Sequence, residues 1–213
     1  MGTVLIVVRH GETAWNADGR IQGHRPVGLN ARGRRQAGAV AARLSEMTFD
    51  ALYSSDLDRA MQTADAIAGA TGREVIPDAR LREWDLGVLA GLTAGEAEDR
   101  YPDAYGIYRR RLPDAVIPEG ESIRQRYART TQGLEAVARR HDGGCAVVVT
   151  HGGPLDDFYR RANGIPLETA RDFELFNAGL NTFRIAGEAW ALVRWGDIDH
   201  LRGIGSMGDW EGR

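Results

Sequence analysis

Thr3 is followed by five consecutive aliphatic residues, Val4 to Val8, with none of the alternation that marks a strand exposed on one face. A short β-branched run that is apolar on both faces predicts a buried central strand, and it stops against Arg9-His10-Gly11, which places those polar residues at a strand's carboxyl end. From Asn30 to Met47 the period changes. Ala37, Val40, Ala41 and Leu44 recur at helical spacing behind Asn30, an N-cap residue. Ala51-Leu52-Tyr53 predicts a second short strand, and Ser54-Ser55-Asp56 opens a helix through Met61, Ala64, Ala66 and Ile67 that Gly72 stops. Glu74-Val75-Ile76 predicts a third strand.

Leu81 to Asp114 lacks a sustained period and contains two short helical stretches, Ala94–Arg100 and Ala104–Arg111. Ser122 followed by Gln125 resembles a capping box before a helix to Arg140, and Cys145 to Val149 is a second all-apolar strand ending in Thr150-His151-Gly152-Gly153. A helix from Leu155 to Ala162 follows. Alternation in Phe173 and Leu175, in Phe183 and Ile185, and in Trp190, Leu192 and Val193 predicts two or three closing strands with at least one antiparallel pair. The expected fold is a single three-layer α/β/α domain over residues 1–213, with a mostly parallel central sheet, a small helical lid inserted at about 84–120, and a loose tail from Gly203 to Arg213.

Composition narrows the chemistry. With 27 basic and 30 acidic side chains the formal charge is −3, which points to no nucleic-acid partner. The one cysteine, Cys145, excludes an intrachain disulfide and fits a reducing cytoplasm, and no apolar run is long enough to span a membrane. Oligomeric state is left open, a homodimer included. The chain has no lysine: all 27 cations are arginine. That excludes Schiff-base chemistry, pyridoxal catalysis and a lysine-dependent phosphate loop, and leaves guanidinium groups to grip anions.

Their placement makes the argument. His10 and His151 each follow a buried apolar strand and each precede a glycine, so a parallel sheet delivers both imidazoles to the edge where ligands bind. Arg9 precedes His10, and Arg59 lies on the first turns of the helix after the second strand. Two cations and two imidazoles at one edge make an oxyanion pocket. Asn16 adds an amide, and Gly11, Gly23 and Gly152 let backbone N–H groups approach a ligand. A small phosphorylated molecule is the expected guest.

Arg9-His10-Gly11-Glu12-Thr13-Ala14-Trp15-Asn16 resembles the R-H-G-E-T-x-W-N signature of the histidine phosphatase superfamily, also called phosphoglycerate mutase-like. Further blocks are similar to that family in the same order: Arg20-Ile21-Gln22-Gly23-His24, Leu29 to Ala37, Ser54 to Ala64, Leu81 to Gly87, Glu119-Gly120-Glu121-Ser122 and Val148 to Gly153. The resemblance implies a metal-independent phosphomonoester hydrolase with no cofactor. His10 would be the nucleophile and become a phosphohistidine. Arg9, Arg59 and His151 would hold the nonbridging oxygens, with Asn16, Gln22, Gly23 and Gly152 completing the phosphate site. Glu83 occupies the family's general-acid position, with Asp85 its competitor two residues along.

Three questions stay open at this stage. Trp84, Tyr101, Tyr105, Tyr108 and the Arg109-Arg110-Arg111 run either line a substrate site or form a solvated basic helix face with aromatic packing. Pro26 and Gly28 replace the aspartate and proline of the family's Q-G-x-x-D-x-P-L pattern, which puts the entrance loop in doubt. Asp156 and Asp157 are read as acids in a first helical turn, favoured by the helix N-terminus, with repulsion of highly charged substrates the alternative. The family also holds mutases, and an idle phosphate-binding regulator would keep the pocket. The mutases carry a longer insertion and a substrate-gripping lysine. Here Gln125 to Val147 is taken by a core helix and the next strand, and lysine is absent, so hydrolysis is favoured.

Overall fold

The two runs that are apolar on both faces become neighbours. A computed structural model describes residues 2–206 of the chain. Strands β1 (Thr3–Arg9), β2 (Ala51–Ser54), β3 (Val75–Pro77) and β4 (Cys145–Thr150) run parallel, with β1 against β4 from Val4 opposite Cys145 to Arg9 opposite Thr150. Strand β5 (Leu180–Ala186) is antiparallel to β1, and β6 (Ala189–Asp197) is antiparallel to β5, giving the order β3-β2-β4-β1-β5-β6.

The helices are α1 (Ala14–Ala17), α2 (Ala31–Ser45), α3 (Asp58–Thr71), α4 (Ala94–Arg100), α5 (Pro102–Arg110), α6 (Ile123–Arg140) and α7 (Gly152–Asn163). Strand pleating divides the core between them. Leu5, Val7, Ala146 and Val148 pack with Leu134 and Val137 of α6 and Leu155 and Phe158 of α7. Ile6, Val8, Val147 and Val149 pack on the other side with Val40 and Leu44 of α2 and Ala64 and Ile67 of α3. The result is a three-layer α/β/α arrangement, as the apolar pattern predicts. The inserted segment has its own core, in which Trp84, Leu86, Leu89, Ala97, Ala104 and Ile117 meet Ile21, Ile123 and Leu167.

Several local expectations are corrected. Helix α3 starts at Asp58, four residues later than Ser54, because Ser54 still pairs in β2 and Ser55 N–H bonds Val149 O at 2.9 Å. Helix α7 starts at Gly152, not Leu155, so Asp156 and Asp157 fall beyond its first turn. Phe173 and Leu175 form no strand. Their alternation reflects burial in the sheet's core, with the Phe173 and Tyr159 ring centroids 3.8 Å apart. Of the tail, Gly203–Ser206 is tied down: Gln36 Nε2 donates to Gly205 O at 2.8 Å and Ser206 Oγ to Asn177 O at 2.6 Å. Residues 207–213 lie outside the described residues. Among the described residues no helix is long and apolar enough to cross a membrane.

Candidate active site

Three strands deliver the residues that follow them to one place. His10 N–H bonds Thr150 O at 2.9 Å, Ser55 follows β2, and His151 caps α7 directly after β4. The His10 and His151 rings end 5.1 Å apart between centroids. The turn after β1 is held from two sides: Asn177 Nδ2 donates to His10 O at 3.0 Å, and Gly11 N–H donates to Thr63 Oγ1 at 3.1 Å. Its tightness needs a small neighbour, since a Cβ on Gly11 would stand 2.5 Å from Gly33 O.

Two hydrogen bonds assign the His10 tautomer. Nδ1 lies 2.7 Å from Gly11 O, which can only accept, so Nδ1 carries the proton. Nε2 accepts from Arg59 Nε at 3.2 Å, so it presents a lone pair. Burial holds His10 well below the ordinary imidazole pKa, and the Arg59 and Arg9 charges lower it further against the Gly11 bond. His151 is lowered by burial and then by Arg59 and His10. It is fully buried, with Nε2 2.7 Å from Ser55 Oγ and Nδ1 without a partner among the described residues.

The cations are fixed by backbone carbonyls. Arg9 Nη1 donates to Leu175 O at 2.5 Å. Arg59 Nη2 donates to Gly23 O at 2.9 Å and Nη1 to Arg25 O at 3.3 Å. Burial lowers the Arg59 pKa to about 10, which leaves it cationic at neutral pH. These bonds give the loop bearing Pro26 and Gly28 its shape. Gly28 leaves room for Gln62, whose Nε2 would be 2.9 Å from a Cβ there and whose Oε1 accepts Leu29 N–H at 2.8 Å.

A cavity of about 660 Å³ opens beside His10, lined by Arg9, Asn16, Gln22, Gly23, Arg59, Glu83, Gly152 and Gly153 among others. His151 stands behind this wall rather than in it. Asn16 and Gln22 are partly committed, since Asn16 Oδ1 accepts Thr13 N–H at 3.1 Å in a capping box and Gln22 Oε1 lies 3.0 Å from Thr13 Oγ1. Glu83 Oε1 accepts Trp84 N–H at 2.7 Å and Gly153 N–H at 3.0 Å, so the carboxylate is anchored at the start of α7. Asp85 is not on a strand and does not share its direction: Oδ1 accepts Gly87 N–H at 3.2 Å and Oδ2 lies 3.5 Å from His24 Nδ1, away from the cavity lining.

The arginine run divides. Arg109 and Arg110 are exposed, whereas Arg111 ends α5 in the left-handed conformation (φ 52°), lines the cavity and pairs with Asp156. Trp84 and Tyr108 also line it; Tyr101 and Tyr105 do not. Asp156 and Asp157 are buried ion-pair partners and not helix-terminus charges. Asp157 holds Arg126 through bonds of 2.9 and 2.7 Å, and Asp156 accepts from Arg160 at 3.0 Å. Sequence reasoning missed Arg126. Its signal was a charge on the apolar face of α6, in register with Ile123, Thr130 and Leu134.

The buried imidazoles make stability pH-dependent. An unfolded histidine titrates near the ordinary imidazole value of about 6.5, while burial holds both folded ones well below it. Between those values the unfolded chain binds more protons, so unfolding free energy falls as pH drops below that point, by up to about 1.4 kcal/mol per pH unit for each imidazole. Urea unfolding at pH 7 and pH 5 is expected to show a shallower loss for His10→Gln than for the parent chain. Equal losses would mean that His10 charges normally in the fold.

The chain is 44% identical over 208 residues to phosphoglycerate mutase-like protein 4 of Arabidopsis thaliana, covering 95% of this chain and 89% of the relative. It is 40% identical over 208 residues to the metal-independent phosphoserine phosphatase of the same plant, covering 96% and 86%. The solved structure of Bacillus stearothermophilus YhfR superposes with a TM-score of 0.87 at 28% identity, over 93% of this chain and 99% of that one. Residues 5–198 match the family model of the histidine phosphatase superfamily (branch 1), and the chain belongs to that superfamily.

Proposed function

We propose that this protein is a metal-independent phosphomonoester hydrolase that works through a phosphohistidine at His10 on small phosphorylated metabolites. The observation that carries the reading is the His10 ring itself: Nδ1 is pinned to Gly11 O at 2.7 Å, leaving the Nε2 lone pair toward Arg59, while burial first and the Arg59 and Arg9 charges next keep the ring neutral. An imidazole that is neutral and surrounded by cations suits a nucleophile for an anionic phosphorus.

In the first step His10 Nε2 bonds to phosphorus as the ester P–O bond breaks, and Glu83 gives its proton to the leaving oxygen. The entering phosphoryl group takes over the Arg59 Nε–H that now caps the lone pair. Arg9 and Arg59 meet the charge on the equatorial oxygens, and His151, whose ring lies 5.1 Å from that of His10 and whose Nδ1 has no partner among the described residues, would meet a third. In the second step water, deprotonated by Glu83, bonds to phosphorus as the P–N bond breaks. The 40% identical relative is by name a metal-independent phosphoserine phosphatase, which supports hydrolysis without a metal. Among the described residues no three His, Cys, Asp or Glu side chains are grouped to hold a metal ion.

The 44% identical relative is named mutase-like, so transfer is the second reading. EDTA-treated protein incubated with 3-phosphoglycerate is expected to release phosphate and form negligible 2-phosphoglycerate, with or without 2,3-bisphosphoglycerate. Loss of turnover that magnesium restores would overturn the metal-independent reading. Efficient bisphosphate-stimulated isomerisation would move the assignment to phosphotransfer.

A further inference from the structure

We propose that Arg126, seated by Asp157, is a specificity-determining residue that binds a carboxylate carried by the leaving group one or two carbons from the ester oxygen. The inference rests on the hydrolase reading above and extends it to the far side of Glu83.

Arg126 is an unusual cavity residue because its side chain is only 1% exposed. Nε and Nη2 are spent on Asp157, at 2.9 and 2.7 Å, and Cζ lies 5.2 Å from the centre of the Trp84 ring. Trp84 is itself fixed by its Nε1 bond to Glu121 O at 2.8 Å. Three constraints thus immobilise the guanidinium and point its remaining nitrogen. Nη1 makes no hydrogen bond to any described residue, yet it is not among the fully enclosed unsatisfied atoms, and Arg126 lines the cavity. Burial works against its charge, but Asp157, Asp156 and Glu83 more than offset this and raise its pKa.

Gly153 shows where Nη1 sits. A Cβ there would collide with Glu83 Oε1 and stand 3.1 Å from Arg126 Nη1, so both atoms face the same small gap at the start of α7. A leaving oxygen within proton-transfer reach of Glu83 therefore carries its neighbouring carbons past Nη1. A carboxylate on those carbons would accept a charge-assisted hydrogen bond from a donor whose ordering cost has already been met. The nearby Asp156 does not repel it, because Arg111 and Arg160 meet that charge. A purely structural ion pair would need neither the free Nη1 nor its position beside the proton donor.

Two matched substrate pairs test this, phosphoserine against phosphoethanolamine and 3-phosphoglycerate against glycerol 3-phosphate, with p-nitrophenyl phosphate as reference. The members of each pair differ mainly at the carboxylate. The parent enzyme is expected to favour the carboxylated member in kcat/KM by about ten- to hundredfold, and Arg126→Met to reduce that ratio at least about tenfold. Should Arg126→Met fail to fold around an unpaired Asp157, the Arg126→Gln/Asp157→Asn pair keeps a neutral contact and is expected to show the same reduced ratio. A parent enzyme that hydrolyses p-nitrophenyl phosphate without carboxylate preference would overturn this proposal alone. A preference that survives in a folded Arg126 variant would likewise overturn it. Absence of phosphate release from every ester would instead overturn the hydrolase reading, and this proposal with it.

Discussion

His10→Ala is expected to lower phosphatase turnover by at least about 10⁴-fold and to eliminate covalent labelling. Rapid quench of the parent protein with labelled substrate should trap phosphate that is stable to base and lost in acid, the behaviour of a P–N bond. The variant should trap none. Removing the ring takes away the lone pair that Arg59 Nε now meets at 3.2 Å and leaves that buried cation, already felt by Arg9, without this acceptor. Phosphate can still bind there, so the chemical step and not binding should fail. Undiminished turnover in His10→Ala, or an unlabelled parent enzyme at saturation, would remove His10 from the nucleophile's role.

The sheet edge that carries this chemistry was legible because two segments, of six and five residues, announce it. Thr3–Val8 and Cys145–Val149 are apolar at nearly every position, which only a strand covered on both faces can tolerate. Once both are central and parallel, Arg9-His10 and Thr150-His151 must emerge together, and Arg9 is found opposite Thr150. What local pattern could not supply was pairing over long sequence distance. Asp156 and Asp157 looked like helix-terminus acids because their partners Arg111 and Arg126 lie on other elements. Two residues along a strand, Asp85 would point the same way as Glu83. The segment instead pairs with no strand, and each carboxylate is set by its own bonds, Glu83 to the Trp84 and Gly153 N–H groups and Asp85 to Gly87 N–H beside His24. The Phe173–Leu175 alternation was a record of burial, and burial alone does not separate a strand from a covering loop.

The separate anchoring of the two carboxylates is why the acid can be tested cleanly. Glu83→Gln keeps a carbonyl oxygen to accept the Trp84 and Gly153 N–H groups, now at 2.7 and 3.0 Å, so the side chain should stay in place while losing the proton. An alkyl leaving group departs as a strongly basic alkoxide unless protonated, whereas p-nitrophenolate leaves almost unaided. Glu83→Gln is therefore expected to lose about 10²- to 10⁴-fold in kcat on alkyl phosphates but within about tenfold on p-nitrophenyl phosphate. Asp85→Asn is the matched control, since Asp85 turns toward His24 and Gly87 outside the cavity lining. It should show no dependence on the leaving group. Equal losses on both ester classes would take Glu83 out of the acid's role, and a leaving-group dependence that appears only in Asp85→Asn would transfer that role to Asp85. The contrast is decisive because it does not depend on how much either substitution costs in stability: a loosened fold lowers both esters alike, and only a missing proton separates them.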